Sequence, residues 1–210
     1  MYTLYYSPGA ASLAVHWMLI ELGVPHELKK VDMETGEHRR PEYLRLNPNG
    51  FVPVMIVDGT PLYESAALLM LLAERHPQAG FAPAPGNPQR GPYMTWMFHL
   101  SNTLQAAYKD WFYPERPAGA AAVEGAKASA RERIEACWDR VEAQIRSGGP
   151  YLVGDRVGAA DFLATMLMRW SRNMPKPATE WPTLVNYVAR MKARPSFKTL
   201  YAREGLTEWA

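Results

Sequence analysis

The chain has 210 residues, enough for one large domain or two small ones with proper cores. Its 23 Lys and Arg against 21 Asp and Glu leave a formal charge of +2, which makes no electrostatic case for a nucleic-acid partner. Hydrophobic residues make up 48%. Yet no apolar run approaches the roughly 18–20 residues of a membrane helix, and the N-terminus lacks the basic and apolar regions of a secretory signal. A cytoplasmic protein without membrane contact is therefore expected. A single cysteine, Cys137, excludes an intrachain disulfide and a CxxC pair. The five histidines (16, 26, 38, 76 and 99) show no ligand-like spacing, so no metal site is expected, and no Gly-rich phosphate loop is present.

In chain order, YTLYYS predicts a strand and SLAVHWMLIELG a helix closed by Gly23. Between them SPGAAS forms a strand–turn–helix corner, whose backbone N–H groups at the helix start are a good place to hold an anion. HELKKVD is a weaker strand. VPVMIVDGTPLYE reads as two short strands joined at Asp58-Gly59, and SAALLMLLAERH as a helix stopped by Pro77. The order βαβ then ββα implies a small mixed sheet: the crossover makes a parallel pair, and the hairpin adds an antiparallel edge.

From Pro77 to Pro92 five prolines and three glycines forbid a regular element and mark an interdomain linker. The remainder is helical in pattern. Trp96, Leu100, Leu104, Tyr108 and Trp111 recur at spacings of four and three, and DFLATMLMRW is apolar on nearly every face, as suits the centre of a bundle. Cys137 borders the stripe Ile134, Trp138, Val141 and Ile145, so a buried structural thiol is expected. The predicted class is α+β, with an α/β domain over 1–76, a linker over 77–90 and a helical domain over 91–210.

Two further segments carry chemistry. In RLNPNGFVPVMIVDG, Val52-Pro53 enters a strand. A cis proline there leaves the N–H and C=O of Val52 free to pair with an extended peptide; a trans proline opening an edge strand is the plainer alternative. In TPLYESAAL, Glu64-Ser65 sits at a second strand-to-helix corner. Ser65 can cap the helix, the first-turn N–H groups can accept a carboxylate, and Glu64 suits an ammonium group; an ordinary helix cap is the alternative.

These segments, with YYSPGAASLAVHWMLIELG and GDRVGAADFLATMLMRW, fall in the order and spacing of the cytosolic glutathione transferases. The chain resembles that family over essentially its whole length, the bacterial beta class most closely. The resemblance implies a thioredoxin-like N-terminal domain, an all-α C-terminal domain, glutathione as co-substrate, and a homodimer. It implies that Val52 binds the glutathione backbone with Pro53 cis, that Glu64 and Ser65 hold the γ-glutamyl end, and that His38 reaches the glycyl carboxylate, unless His38 is simply a solvated loop residue. Three departures stand out. Ala11 occupies the position of the beta-class cysteine, Phe51 replaces a common lysine, and Gly158 replaces the usual Ser/Thr cap. Asp161 and the Val157–Phe162 staple should preserve the helix that follows.

A free thiol has a pKa near ~8.5, so bringing it down to about 6.5 requires about 2.7 kcal/mol of preferential stabilisation of the thiolate. Ser12, at the start of the first helix, is the first choice of hydroxyl donor to the sulfur, and Tyr6 the second. The thiolate then attacks a small hydrophobic electrophile held in an apolar pocket at the domain interface. Tyr108, Phe112 and Tyr113 are its candidate walls. Tyr108 also continues the buried stripe, so Phe112 and Tyr113 suit a pocket better. Asn102 can face either the cleft or a dimer partner. Two alternatives compete: a glutathione-dependent disulfide or peroxide reductase, and a non-enzymatic protein of the stringent-starvation type. The presence of Ser12, Glu64 and Ser65 favours a working glutathione site.

Overall fold

Alternation of inward and outward residues builds the first strand. In the computed structural model, which describes residues 1–209 apart from the side chains at 118 and 120, β1 (Tyr2–Tyr6) buries Tyr2 and Leu4 on one face. α1 (Leu13–Glu21) follows, then β2 (His26–Lys30), α2 (Pro41–Leu44), β3 (Val54–Val57), β4 (Thr60–Tyr63) and α3 (Ser65–Arg75). The sheet order is β2-β1-β3-β4, with β1 parallel to β2 and antiparallel to β3, and β3 antiparallel to β4. This is the thioredoxin-like mixed sheet that the sequence predicts. Asp58 (φ 52°) and Gly59 (φ 82°) are both left-handed, the backbone that a tight hairpin between right-twisted strands requires.

The helical segment comprises α4 (Arg90–Phe98), a π-helical stretch at His99–Gln105, α5 (Ala106–Phe112), α6 (Glu115–Ala118), α7 (Val123–Gly148), α8 (Ala159–Trp170) and α9 (Pro182–Lys192); α10 (Pro195–Glu204) closes the chain. The stripe Leu100, Leu104 and Tyr108, three steps of four from Trp96, is fully buried at these three residues. Repeated steps of four drift round an α-helix of 3.6 residues per turn, and the wider π turn holds them on one face. Among the described residues no helix is long and apolar enough to cross a membrane.

The chain divides into two compact units, Met1–Ala82 with Lys192–Ala210, and Pro83–Met191. The sequence places everything from 91 to 210 in the helical domain, so the difference lies in the last helix. Its cause is α1, where every residue from Leu13 to Leu19 is buried. A helix apolar on all sides needs cover beyond the sheet and α3. α10 supplies it: Phe197 packs edge-on to Trp17 at 5.2 Å, and Trp17 Nε1 donates to Ser196 Oγ at 2.8 Å. Glu21 pairs with Arg194 and accepts from Ser196 at the same seam.

In the second unit, every residue of α8 from Ala159 to Arg169 is buried. Gly158 has no side chain to cap this helix. Asp161 meets the need from the other direction, accepting the Gly158 N–H at 2.7 Å, the Leu152 N–H at 3.0 Å and the Tyr187 hydroxyl at 2.9 Å. Asp161→Ala should therefore remove the carboxylate acceptor from the buried Leu152 N–H, the buried Tyr187 hydroxyl and the part-buried Gly158 N–H, and lower unfolding free energy by about 3 kcal/mol, as read by urea denaturation.

Candidate functional site

The SPGAAS corner is built from its backbone. Ala10 N–H donates to Ser7 C=O at 3.1 Å, and Leu13 N–H to Ala10 C=O at 3.0 Å. The N–H groups of Ala11 and Ser12, which lie between these bonds, meet no acceptor among the described residues. They stand at the start of α1, where the helix dipole favours an anion.

Ser12 itself is 0% exposed. Its Oγ accepts from the Ser7 N–H and donates to the Ser7 C=O, both at 3.2 Å, and it does not cap α1. The hydroxyl chosen from the sequence as donor to the sulfur is thus engaged with the Ser7 backbone, where it braces the corner. Tyr6 is half-buried and its hydroxyl has no partner among the described residues. Burial, and then the Glu204 carboxylate, push its phenol pKa up, so it remains protonated and able to donate.

The second corner departs from its predicted chemistry in the same way. Ser65 is the first residue of α3, not its cap, and is buried. Its Oγ donates to the Ala11 C=O at 2.8 Å, tying the two helix starts together. The hydroxyl proton is thus engaged within the protein, and the groups left for a carboxylate are the first-turn N–H groups of α3. Glu64 occupies the cap position with φ 76° and ψ 112°, a conformation that L side chains rarely adopt. That strained backbone holds its exposed carboxylate beside the helix start.

The strand edge lies alongside. The Val52–Pro53 peptide is cis, and among the described residues nothing pairs with the N–H or C=O of Val52. Tyr43 Oη and Asn47 Nδ2 both donate to the neighbouring Phe51 carbonyl, at 2.9 and 2.8 Å. The Val52 side chain belongs to a core cluster with Val31, Tyr43 and Val54, against which Ala10 packs, so this edge and the first corner share a core.

His38 lies in a single 3₁₀ turn, Glu37–Arg39, and the sequence missed its neighbour. Arg39 lays its guanidinium over the Phe51 ring at 5.2 Å and donates to the Asn49 carbonyl at 3.3 Å. A cation therefore stands at the edge, beside Phe51. The only signal for it was the Asn49-Gly50 pair, whose tight turn lets residues 38–39 come close.

Of the three aromatic candidates in the helical unit, Tyr108 is 0% exposed and accepts from Trp138 Nε1 at 3.0 Å. It is a core residue, which corrects its assignment to a pocket wall. Phe112 is 46% exposed and stacks on Tyr108 at 6.0 Å; Tyr113 is exposed, with the Arg116 guanidinium over its ring at 4.0 Å. Asn102 is exposed within the π-helical stretch. Cys137 is buried, which pushes its thiol pKa up.

Two helix starts joined beside an unpaired strand edge, on a thioredoxin-like sheet followed by helices, define the architecture of the cytosolic glutathione transferases. Residues 10–75 match the family model for the glutathione S-transferase N-terminal domain, and residues 102–204 that for the C-terminal domain. Over 207 residues the chain is 30% identical to glutathione S-transferase GST-4.5 of Xanthomonas campestris, spanning 97% of this chain and 98% of that protein. A glutathione transferase homologue from Sulfitobacter, solved with bound glutathione, superposes with a TM-score of 0.89 at 30% identity, covering 99% of both chains. The beta-class glutathione S-transferase of Sphingomonas chungbukensis superposes with a TM-score of 0.82 at 27% identity, over 98% of this chain and 100% of that one. The chain belongs to the glutathione S-transferase family.

Gly50 tests the geometry of the edge. It has φ +61°, and a Cβ there would sit 2.9 Å from the His38 carbonyl oxygen. Gly50→Ala should destabilise the protein by about 2 kcal/mol in urea denaturation, because the backbone at both positions must shift.

Proposed function

We propose that this transferase binds glutathione across the two helix starts and the Val52 edge, and activates its thiol for attack on a small hydrophobic electrophile. The observation that carries the proposal is the Ser65–Ala11 hydrogen bond, which brings two positive helix ends together. An extended peptide with an anion at two points fits that arrangement. In the proposed pose the γ-glutamyl carboxylate rests on the first-turn N–H groups of α3, and the Glu64 carboxylate faces the ammonium. The cysteinyl backbone pairs with Val52 in strand fashion, and the sulfur meets the Ala11 N–H at the start of α1. In the same pose Arg39, whose guanidinium lies over the Phe51 ring, takes the glycyl carboxylate with His38 beside it. The Sulfitobacter homologue, solved with bound glutathione, supports this choice of ligand.

The thiol proton leaves to solvent as the thiolate forms. The sulfur lone pair then makes a C–S bond to the electrophilic carbon, and the leaving group departs with the displaced electron pair. Ala11 and the burial of Cys137 leave the corner without a protein thiol, so the nucleophile is the ligand's own sulfur. Phe112 and Tyr113 are the exposed rings we assign to the apolar body of the electrophile. Met94 and Phe98, exposed one turn apart on α4, support assembly as a homodimer, which light scattering tests.

Titration calorimetry with glutathione tests binding directly: micromolar-to-millimolar affinity is expected, and no binding would sink the proposal. A panel of aryl halides, epoxides, peroxides and mixed disulfides then separates conjugation from reduction. Tyr6→Phe should lower turnover by about tenfold or less, since backbone N–H groups carry most of the anion, and leave glutathione affinity unchanged. Ser65→Ala frees the two helix starts from each other and should weaken glutathione binding by about tenfold.

A further inference from the structure

Glu204 breaks two local rules at once. It is the last residue of α10, where a carboxylate opposes the helix dipole, and it is 6% exposed, where an unpaired charge is costly. Such exceptions are expected where a fold serves a site. The partners of Glu204 identify that site. Oε2 accepts the Gly9 N–H at 2.8 Å, and Oε1 pairs with His16 Nδ1 at 2.8 Å. A carboxylate only accepts, so the imidazole carries its proton on Nδ1. Gly9 lies in the turn between β1 and α1, and His16 one turn into α1. Tyr6 sits over the same imidazole, with ring centroids 5.7 Å apart.

We infer that Glu204 is a positioning residue: from the far end of the chain it fixes the Ser7–Gly9 turn against α1, so that the Ala11 N–H at the helix start points at the thiolate. The inference rests on the proposed glutathione site. Two hydrogen bonds to one carboxylate hold the turn and the helix at a set distance. Ser12, which ties its hydroxyl to Ser7, locks the other side of the same turn. With Glu204 removed, the turn keeps Ser12 and loses its bond to the carboxylate, and the Ala11 N–H loses its fixed aim.

The test compares wild type with Glu204→Ala, Glu204→Gln and Glu204→Asp, measuring glutathione affinity, turnover, and the ultraviolet absorbance of bound thiolate against pH. Glu204→Gln keeps an acceptor for Gly9 and, through its amide, a donor for His16 in the other tautomer, so it should stay within about threefold of wild-type turnover. Glu204→Ala and the shorter Glu204→Asp should lower turnover by about tenfold and raise the thiolate pKa, while glutathione affinity changes by less than about threefold. If Glu204→Ala does not fold, the Gln and Asp variants carry the comparison. A normal thiolate signal in Glu204→Ala or Glu204→Asp overturns the inference, as does a Gln variant as impaired as Asp. Absence of glutathione binding in wild type overturns it differently, by removing the proposed function beneath it.

Discussion

One hydrogen bond, from Ser65 Oγ to the carbonyl of Ala11, sets the terms for the N-terminal unit. Each helix start carries roughly half a positive charge, and two such ends held side by side repel. The bridge offsets this by placing a carbonyl oxygen between them, and it leaves the outward N–H groups unpaired. Such a pair of helix ends is most stable with an anion bound. The sheet, the buried α1 and the covering α10 then act as the frame that keeps the two ends in place.

The departures from local rules gather around this bridge. Glu64 takes a left-handed backbone at the start of α3, Ser12 turns its hydroxyl away from the helix it precedes, and Glu204 ends a helix with a buried carboxylate. In the helical unit, carboxylates take up donors at helix starts and ring N–H groups. Asp161 accepts the N–H of Gly158, the residue before α8, and Trp181 Nε1 donates to Asp139 at 2.7 Å. These three conflicts lie in the region proposed to bind ligand, which is where a strained arrangement can serve a purpose.

Legibility in the sequence follows the range of the forces involved. The chain order of strands and helices and the hairpin were readable because alternation, Asp58-Gly59 and helix stops are local signals. The positions of Val52, Glu64 and Ser65 were readable as well, since turn chemistry marks strand-to-helix corners. What each side chain does there was not readable. Ser12 and Ser65 both look like caps, yet their hydroxyls bond to Ser7 and, 54 residues away, to Ala11. Membership of α10 in the first unit was hidden for the same reason: its partners Trp17, Glu21 and His16 lie more than 170 residues upstream. The all-round apolar character of α1 was the available hint, since such a helix demands a cover that the first 76 residues do not contain.

Moving Ser12 behind the corner changes the energetics of the proposed thiolate. About 2.7 kcal/mol must be found to hold it at neutral pH. A partly buried helix end supplies up to about 2 kcal/mol, and hydrogen bonds to a charged acceptor about 1.5–3 kcal/mol each. The helix end and the Ala11 N–H can therefore meet the requirement without any side-chain donor, and the Tyr6 phenol adds to a sum that is already sufficient. A backbone site of this kind explains the small residues of the corner, because a larger side chain at Ala10 or Ala11 would crowd the sulfur off the amides. It also locates the vulnerability of the site. Amides have no rotamers of their own, so their aim is set wholly by the path of the turn, and that path is held at Ser7 by Ser12 and at Gly9 by Glu204.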